Sequence, residues 1–86
     1  MLELDLGLTA EQALEECSRR GLVVNSERPL RGRPGSRHWH LGFPERAGTL
    51  ELSEWQGRVW VKVHPRRTGD WAPDFARELA AISGGA

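Results

Sequence analysis

The chain is predicted to be an α+β domain of two layers. One layer is a three-stranded antiparallel meander with one or two short extra strands. The other is two helices packed on one sheet face. Three observations predict this. Apolar and polar residues alternate through residues 37–43 and again through residues 49–64, the period of half-buried strands. Two other segments, after Thr9 and around Phe75, repeat their apolar residues every three or four positions, as one helix face does. The 86 residues suffice for one hydrophobic core, so residues 1–86 are read as a single domain burying about 60% of its unfolded surface.

The meander is predicted from its second hairpin. Gln56-Gly57 closes a two-residue turn, since glycine accepts the positive φ such turns need. That loop pairs Glu54 with Val59, Leu52 with Val61 and Leu50 with Val63, and also Ser53 with Trp60, Glu51 with Lys62 and Thr49 with His64. A slip of one residue would set Leu50 against Lys62. With Pro44-Glu45-Arg46-Ala47 as the first turn, Leu41 meets Leu50, Trp39 meets Leu52, His40 meets Glu51 and His38 meets Ser53. One side of the sheet is then aliphatic and aromatic: Trp39, Leu41, Phe43, Leu50, Leu52, Val59, Val61 and Val63. The other carries His38, His40, Glu51, Ser53, Trp55, Arg58, Trp60, Lys62 and His64, which include all three histidines of the chain.

Before the meander, Leu2, Leu4, Leu6 and Leu8 alternate with polar residues or glycine. They predict a short strand or an extended lead-in, with no partner specified. Thr9 and Gln12 have the spacing of a capping box, opening a helix to about Arg20 that Gly21 stops. Its inward face is Ala10, Ala13, Leu14 and Cys17. Leu22-Val23-Val24 is a short strand candidate. Asn25 to Gly35 is expected to be irregular, and Arg28, Arg31 and Arg33 alternate there with proline and glycine. Two readings of it stand: a solvated, mobile loop, or an arginine arm that grips phosphates or an acidic partner. After the meander the chain leaves the sheet through His64-Pro65-Arg66-Arg67. Asp70 or Ala72 is expected to cap a second helix with Pro73 in its first turn, its buried face being Phe75, Leu79 and Ile82, and its end Gly84-Gly85.

Formal net charge is zero, which argues against strong nonspecific nucleic-acid binding. The basic excess is concentrated in residues 21–67, with nine basic and four acidic side chains, while both ends are acidic. The single cysteine, Cys17, excludes an internal disulfide and fits a reducing, cytoplasmic setting. On a helix's apolar face it reads as a core residue, not a nucleophile. No apolar run has the length of a membrane span and no signal peptide is visible.

His38 and His40 point the same way from one strand. A metal ion would need further ligands close by, and His64 lies two strands away, so no metal and no cofactor are expected. His40 beside Glu51 is either an oriented imidazole or an ordinary surface pair. Trp55 and Trp60 with Arg58 are either a shielded patch or a stacking platform for bases or a partner's side chains. No Gly-rich phosphate loop, CxxC pair, Ser-His-Asp arrangement or glycosidase carboxylate pair is present.

Gly35-Ser36-Arg37-His38 resembles the G-S-x-H segment that opens a strand in the HicA-type mRNA interferase toxins. The likeness extends to the helix ending at Gly21, to Trp39-His40-Leu41, to Val63-His64-Pro65 and to the helix through Phe75 and Leu79. The leucine-alternating N-terminus has no counterpart. The resemblance implies the α-β-β-β-α fold of the double-stranded-RNA-binding domain, with His38 as the catalytic histidine of RNA cleavage.

The function expected is therefore an RNA-binding module, with cleavage by His38 as its sharper form. Arg28, Arg31, Arg33, Arg37, His40, Trp55, Arg58, Trp60, Lys62, His64, Arg66 and Arg67 are its candidate binding residues. The alternative is a non-enzymatic protein-interaction module or small subunit that engages an acidic protein partner through the same face of tryptophans, histidines and arginines. A homodimer burying Trp55 and Trp60 is a third reading.

Overall fold

Alternation, capping and turn chemistry yield seven elements in a computed structural model that describes residues 1–64 and 70–84. They are β1 (Leu2–Leu6), α1 (Ala10–Arg19), β2 (Val23–Arg28), β3 (Arg37–Gly42), β4 (Leu50–Trp55), β5 (Arg58–Val63) and α2 (Ala72–Gly84). The strands form one five-stranded sheet in the order β1-β5-β4-β3-β2, antiparallel throughout. The expected meander is its centre, and β1 and β2 close its two edges. No helix among the described residues is long and apolar enough to cross a membrane.

The registers follow from the side-chain pattern. Leu41 pairs with Leu50, Trp39 with Leu52, His40 with Glu51 and His38 with Ser53. Across the second hairpin Leu52 pairs with Val61, Ser53 with Trp60 and Glu51 with Lys62. Gln56 and Gly57 both adopt positive φ, 50° and 81°, the conformation whose twist matches the flanking strands. The aliphatic face then joins residues of both helices in one core, with Trp39, Leu41, Leu50, Leu52 and Val61 nearly inaccessible.

Thr9 caps α1: its hydroxyl accepts the Gln12 N–H at 3.1 Å, and Gln12 Oε1 accepts the Thr9 N–H at 3.0 Å. Ala10, Ala13 and Cys17 are fully buried and Leu14 partly so. Burial pushes the Cys17 thiol up to about 12, which leaves a packing group and no nucleophile. Gly21 ends the helix at φ 100°.

Several expectations are corrected. Asn25 to Arg28, expected from the sequence to be irregular with the rest of Asn25 to Gly35, continue β2, with a bulge between Val24 and Ser26. Its side chains are almost all exposed, so no apolar alternation marks it. It is an edge strand held by its ladder to β3. In α2, Ile82 is 47% exposed and not part of the buried face, where Ala72 and Ala76 join Phe75 and Leu79. Neither Asp70 nor Ala72 holds the cap position. The first α2 bond runs from the Phe75 N–H to the Trp71 carbonyl at 3.0 Å, and Asp70 instead pairs with Arg46 at 3.3 Å. The chain between His64 and Asp70, including Arg66 and Arg67, lies outside the described residues.

Candidate functional site

Residues 29–36 fold back over the outer sheet face. Local hydrogen bonds shape this segment. Ser36 Oγ accepts the Leu30 N–H, the Arg33 N–H reaches the Leu30 carbonyl at 3.2 Å, and the Ser36 N–H reaches the Arg33 carbonyl at 3.1 Å. Trp55 Nε1–H donates to the Pro34 carbonyl at 3.1 Å. The Arg33 guanidinium lies 5.0 Å from the Trp55 ring and 5.9 Å from the Trp60 ring, with Arg58 at 4.3 Å from Trp60. Trp60 is consequently only 5% exposed. It supports the cleft as its wall rather than offering a bare stacking platform.

Between this segment and the sheet lies a cleft of about 290 Å³, lined by Glu3, Leu30, Arg31, Arg33, His38, Ser53, Arg58, Trp60 and Lys62. A neighbouring hollow of about 320 Å³ is lined by Ser26, Arg28, Pro29, Leu30, Arg31, His38 and His40. Arg31, Leu30 and His38 border both. Arg58 is held by Asp5 at 2.7 Å and Glu3 at 3.3 Å, acids that β1 brings in by pairing with β5. Among the described residues no carboxylate lies within ion-pair distance of Arg28, Arg31, Arg33 or Lys62. Their charge is available to an anionic ligand.

His38 forms the floor. Its Nδ1 is 2.6 Å from Ser53 Oγ, and its Nε2 is 3.1 Å from His40 Nε2 and 3.2 Å from Glu51 Oε1. His40 Nε2 is 3.8 Å from the same carboxylate oxygen, and the two rings meet edge to face. Positions two apart on a strand are about 7 Å apart along the backbone, so it is the tilt of the rings that brings these nitrogens together. Glu51 is buried, 9% exposed. Desolvation lowers the His38 pKa below its ordinary value, Glu51 opposes this, and His40 and Lys62 reinforce it. The ring is therefore mainly neutral at pH 7.

The sign of the linkage is fixed by that shift. The unfolded chain takes up the His38 proton near its ordinary pKa of about 6.5, before the folded chain does. Its contribution to stability is complete above that pH and is lost as pH falls toward the lowered folded value. Glu51, His40 and Lys62 are the charged or titratable groups that act on the ring, and Glu3, Arg28, Arg31, Arg33 and Arg58 line the hollows it borders. Urea unfolding at pH 7.5 and 5.5 is expected to show lower stability at 5.5, and His38→Asn a smaller difference. An equal difference in both proteins would remove His38 as the cause.

Of the predicted residues, the structure brings together His38, Arg31, Arg33, Arg58, Trp60 and Lys62, with Arg28 and His40 beside them and Trp55 at the rim. Arg37 lies apart. It points to the helix side, over Trp39 at 4.6 Å, and pairs with Glu11 at 3.3 Å and Glu27 at 3.4 Å. His64 follows the end of β5 and lines neither hollow. Glu3 and Leu30 were not foreseen, because nothing in the chain specifies where β1 pairs or how residues 29–36 fold. No family model, curated protein or solved structure matches this chain.

Proposed function

We propose that this protein is an RNA-binding module that seats backbone phosphate in the cleft over His38. The observation that carries the reading is the wall of Arg31, Arg33 and Lys62, cationic and, among the described residues, without carboxylates within ion-pair distance, above a neutral imidazole. Guanidinium forks suit phosphate oxygens. The HicA-type resemblance of Gly35-Ser36-Arg37-His38 implies the same class of ligand.

Cleavage is the sharper form of the proposal. A neutral His38 has a lone pair for the proton of an RNA 2′-hydroxyl. The freed 2′-oxygen bonds to the adjacent phosphorus and the 5′-oxygen leaves, taking a proton from water. Glu51 beside the ring stabilises the imidazolium that forms, and the arginines stabilise the charge on the phosphoryl oxygens.

The test is a titration of labelled single-stranded and hairpin RNA with wild type and His38→Ala, in chelator, following binding and cleavage together. Salt-sensitive binding with cleavage lost in the variant is the expected result. Binding without cleavage in the wild type leaves the module and removes the enzyme. No binding overturns the RNA reading and turns the search to an acidic protein partner.

A further inference from the structure

From the geometry beneath the cleft we infer a divalent transition-metal site, fitted to zinc, formed by His38 Nε2, His40 Nε2 and Glu51 Oε1. These atoms stand 3.1, 3.2 and 3.8 Å from one another. A tetrahedral zinc ion bonded at about 2.0–2.1 Å sets neighbouring ligand atoms about 3.3–3.4 Å apart. The triangle therefore already has nearly the dimensions of one face of that tetrahedron. The histidine count of the sequence suggested no site because the third ligand is not a histidine. It is Glu51, placed opposite His40 and diagonal to His38 by the β3–β4 register.

A second observation points the same way. Glu51 is 9% exposed, yet among the described residues the groups within ion-pair distance of its carboxylate are two histidines and no lysine or arginine. A buried carboxylate with no cationic partner is costly, and a bound cation removes that cost. Ser53 completes the arrangement. A histidine that ligates through Nε2 carries its proton on Nδ1, and Ser53 Oγ, 2.6 Å away, accepts it. Such an outer hydrogen bond fixes both tautomer and ring orientation. Ser53 is a positioning residue here and touches no metal.

Three protein ligands leave one coordination position open, as in catalytic rather than structural zinc sites. The histidine pair borders the hollow that holds Arg28 and Arg31, so that position suits an anionic oxygen, with the arginines offsetting its charge. With the ion bound, His38 is a ligand and no longer a free base. The site is independent of whether RNA is what enters the cleft.

Calorimetric titration of the whole chain with zinc chloride tests it, without RNA. One zinc ion per chain is expected, with Mg²⁺ giving no heat because it requires oxygen ligands in an octahedron. Cobalt in its place should give the intense visible absorption of a four-coordinate ion. Glu51→Gln and His40→Ala should each abolish uptake, and Ser53→Ala should weaken it about tenfold to a hundredfold. Circular dichroism establishes that each variant is folded, and His40→Asn substitutes for the alanine if that one is not. No uptake at millimolar zinc overturns the inference, as does uptake undiminished in either ligand variant, which would place the ion elsewhere. Zinc binding without RNA binding, or RNA binding in chelator without zinc uptake, tells which of the two proposals has failed.

Discussion

Trp39→Ala is expected to cost about 3–5 kcal/mol of folding stability, the range for removing a large buried aromatic. Trp39 is 2% exposed and the largest of the fully buried side chains. It sits at the middle of β3, paired with Leu52 on one side and Glu27 on the other. Its indole belongs to the core that the sheet shares with both helices, so its removal leaves a large cavity. Domains have about 0.05–0.15 kcal/mol of stability per residue, so a chain of this size would lose a large share of what it has. The Arg37 guanidinium over the ring would also lose its stacking partner. Urea unfolding followed by far-ultraviolet circular dichroism measures the effect without relying on the deleted fluorophore. Trp55→Ala, at the half-buried end of β4, is expected to cost clearly less. A loss below about 1 kcal/mol for Trp39→Ala would mean that the core repacks around the gap.

The second large effect is on RNA affinity. Each phosphate neutralised on a single strand contributes about 0.7 to the slope of log affinity against log salt. Among the described residues Arg31, Arg33 and Lys62 have no carboxylate within ion-pair distance, whereas Arg58 is already engaged by Asp5 and Glu3. A slope of about −2 is then expected from three contacts. Affinity should fall roughly twentyfold between 50 and 200 mM salt. Arg31→Ala combined with Arg33→Ala should leave a slope of about −0.7; both side chains lie outside the main core, and circular dichroism establishes that losing the Arg33 stack on Trp55 and Trp60 leaves the protein folded. Arg37→Ala should leave the slope where it was, since that side chain is on the other face and bound to acids. A slope unaffected by the double substitution would move the binding surface away from this cleft. A slope reduced equally by Arg37→Ala would mean that the nucleic acid wraps the sheet edge.

Much of this was legible in the chain because the signals are local. The period of two, together with a turn that admits only one loop length, determines the meander register, so that His40 faces Glu51 and His38 faces Ser53. The capping box of Thr9 and Gln12 and the stop at Gly21 determine α1. These features need only neighbours within a few residues or a face that must be buried. The α+β class follows from them.

The tertiary structure alone decided what has no local signature. β2 opens on Val23-Val24, but from Asn25 to Arg28 it is polar and mostly exposed, so only its ladder to β3 marks that half as strand. β1 finds β5 because that edge of the meander is free, and this carries Glu3 and Asp5 to Arg58. Residues 29–36 fold over the outer face through bonds between Leu30, Arg33 and Ser36 and through Trp55. That converts an open surface into a cleft and buries Trp60. The sequence placed His38, His40 and Glu51 on one face. Their convergence to within 3.8 Å depends on the tilt of rings on adjacent strands, a matter of side-chain torsion that no residue spacing encodes.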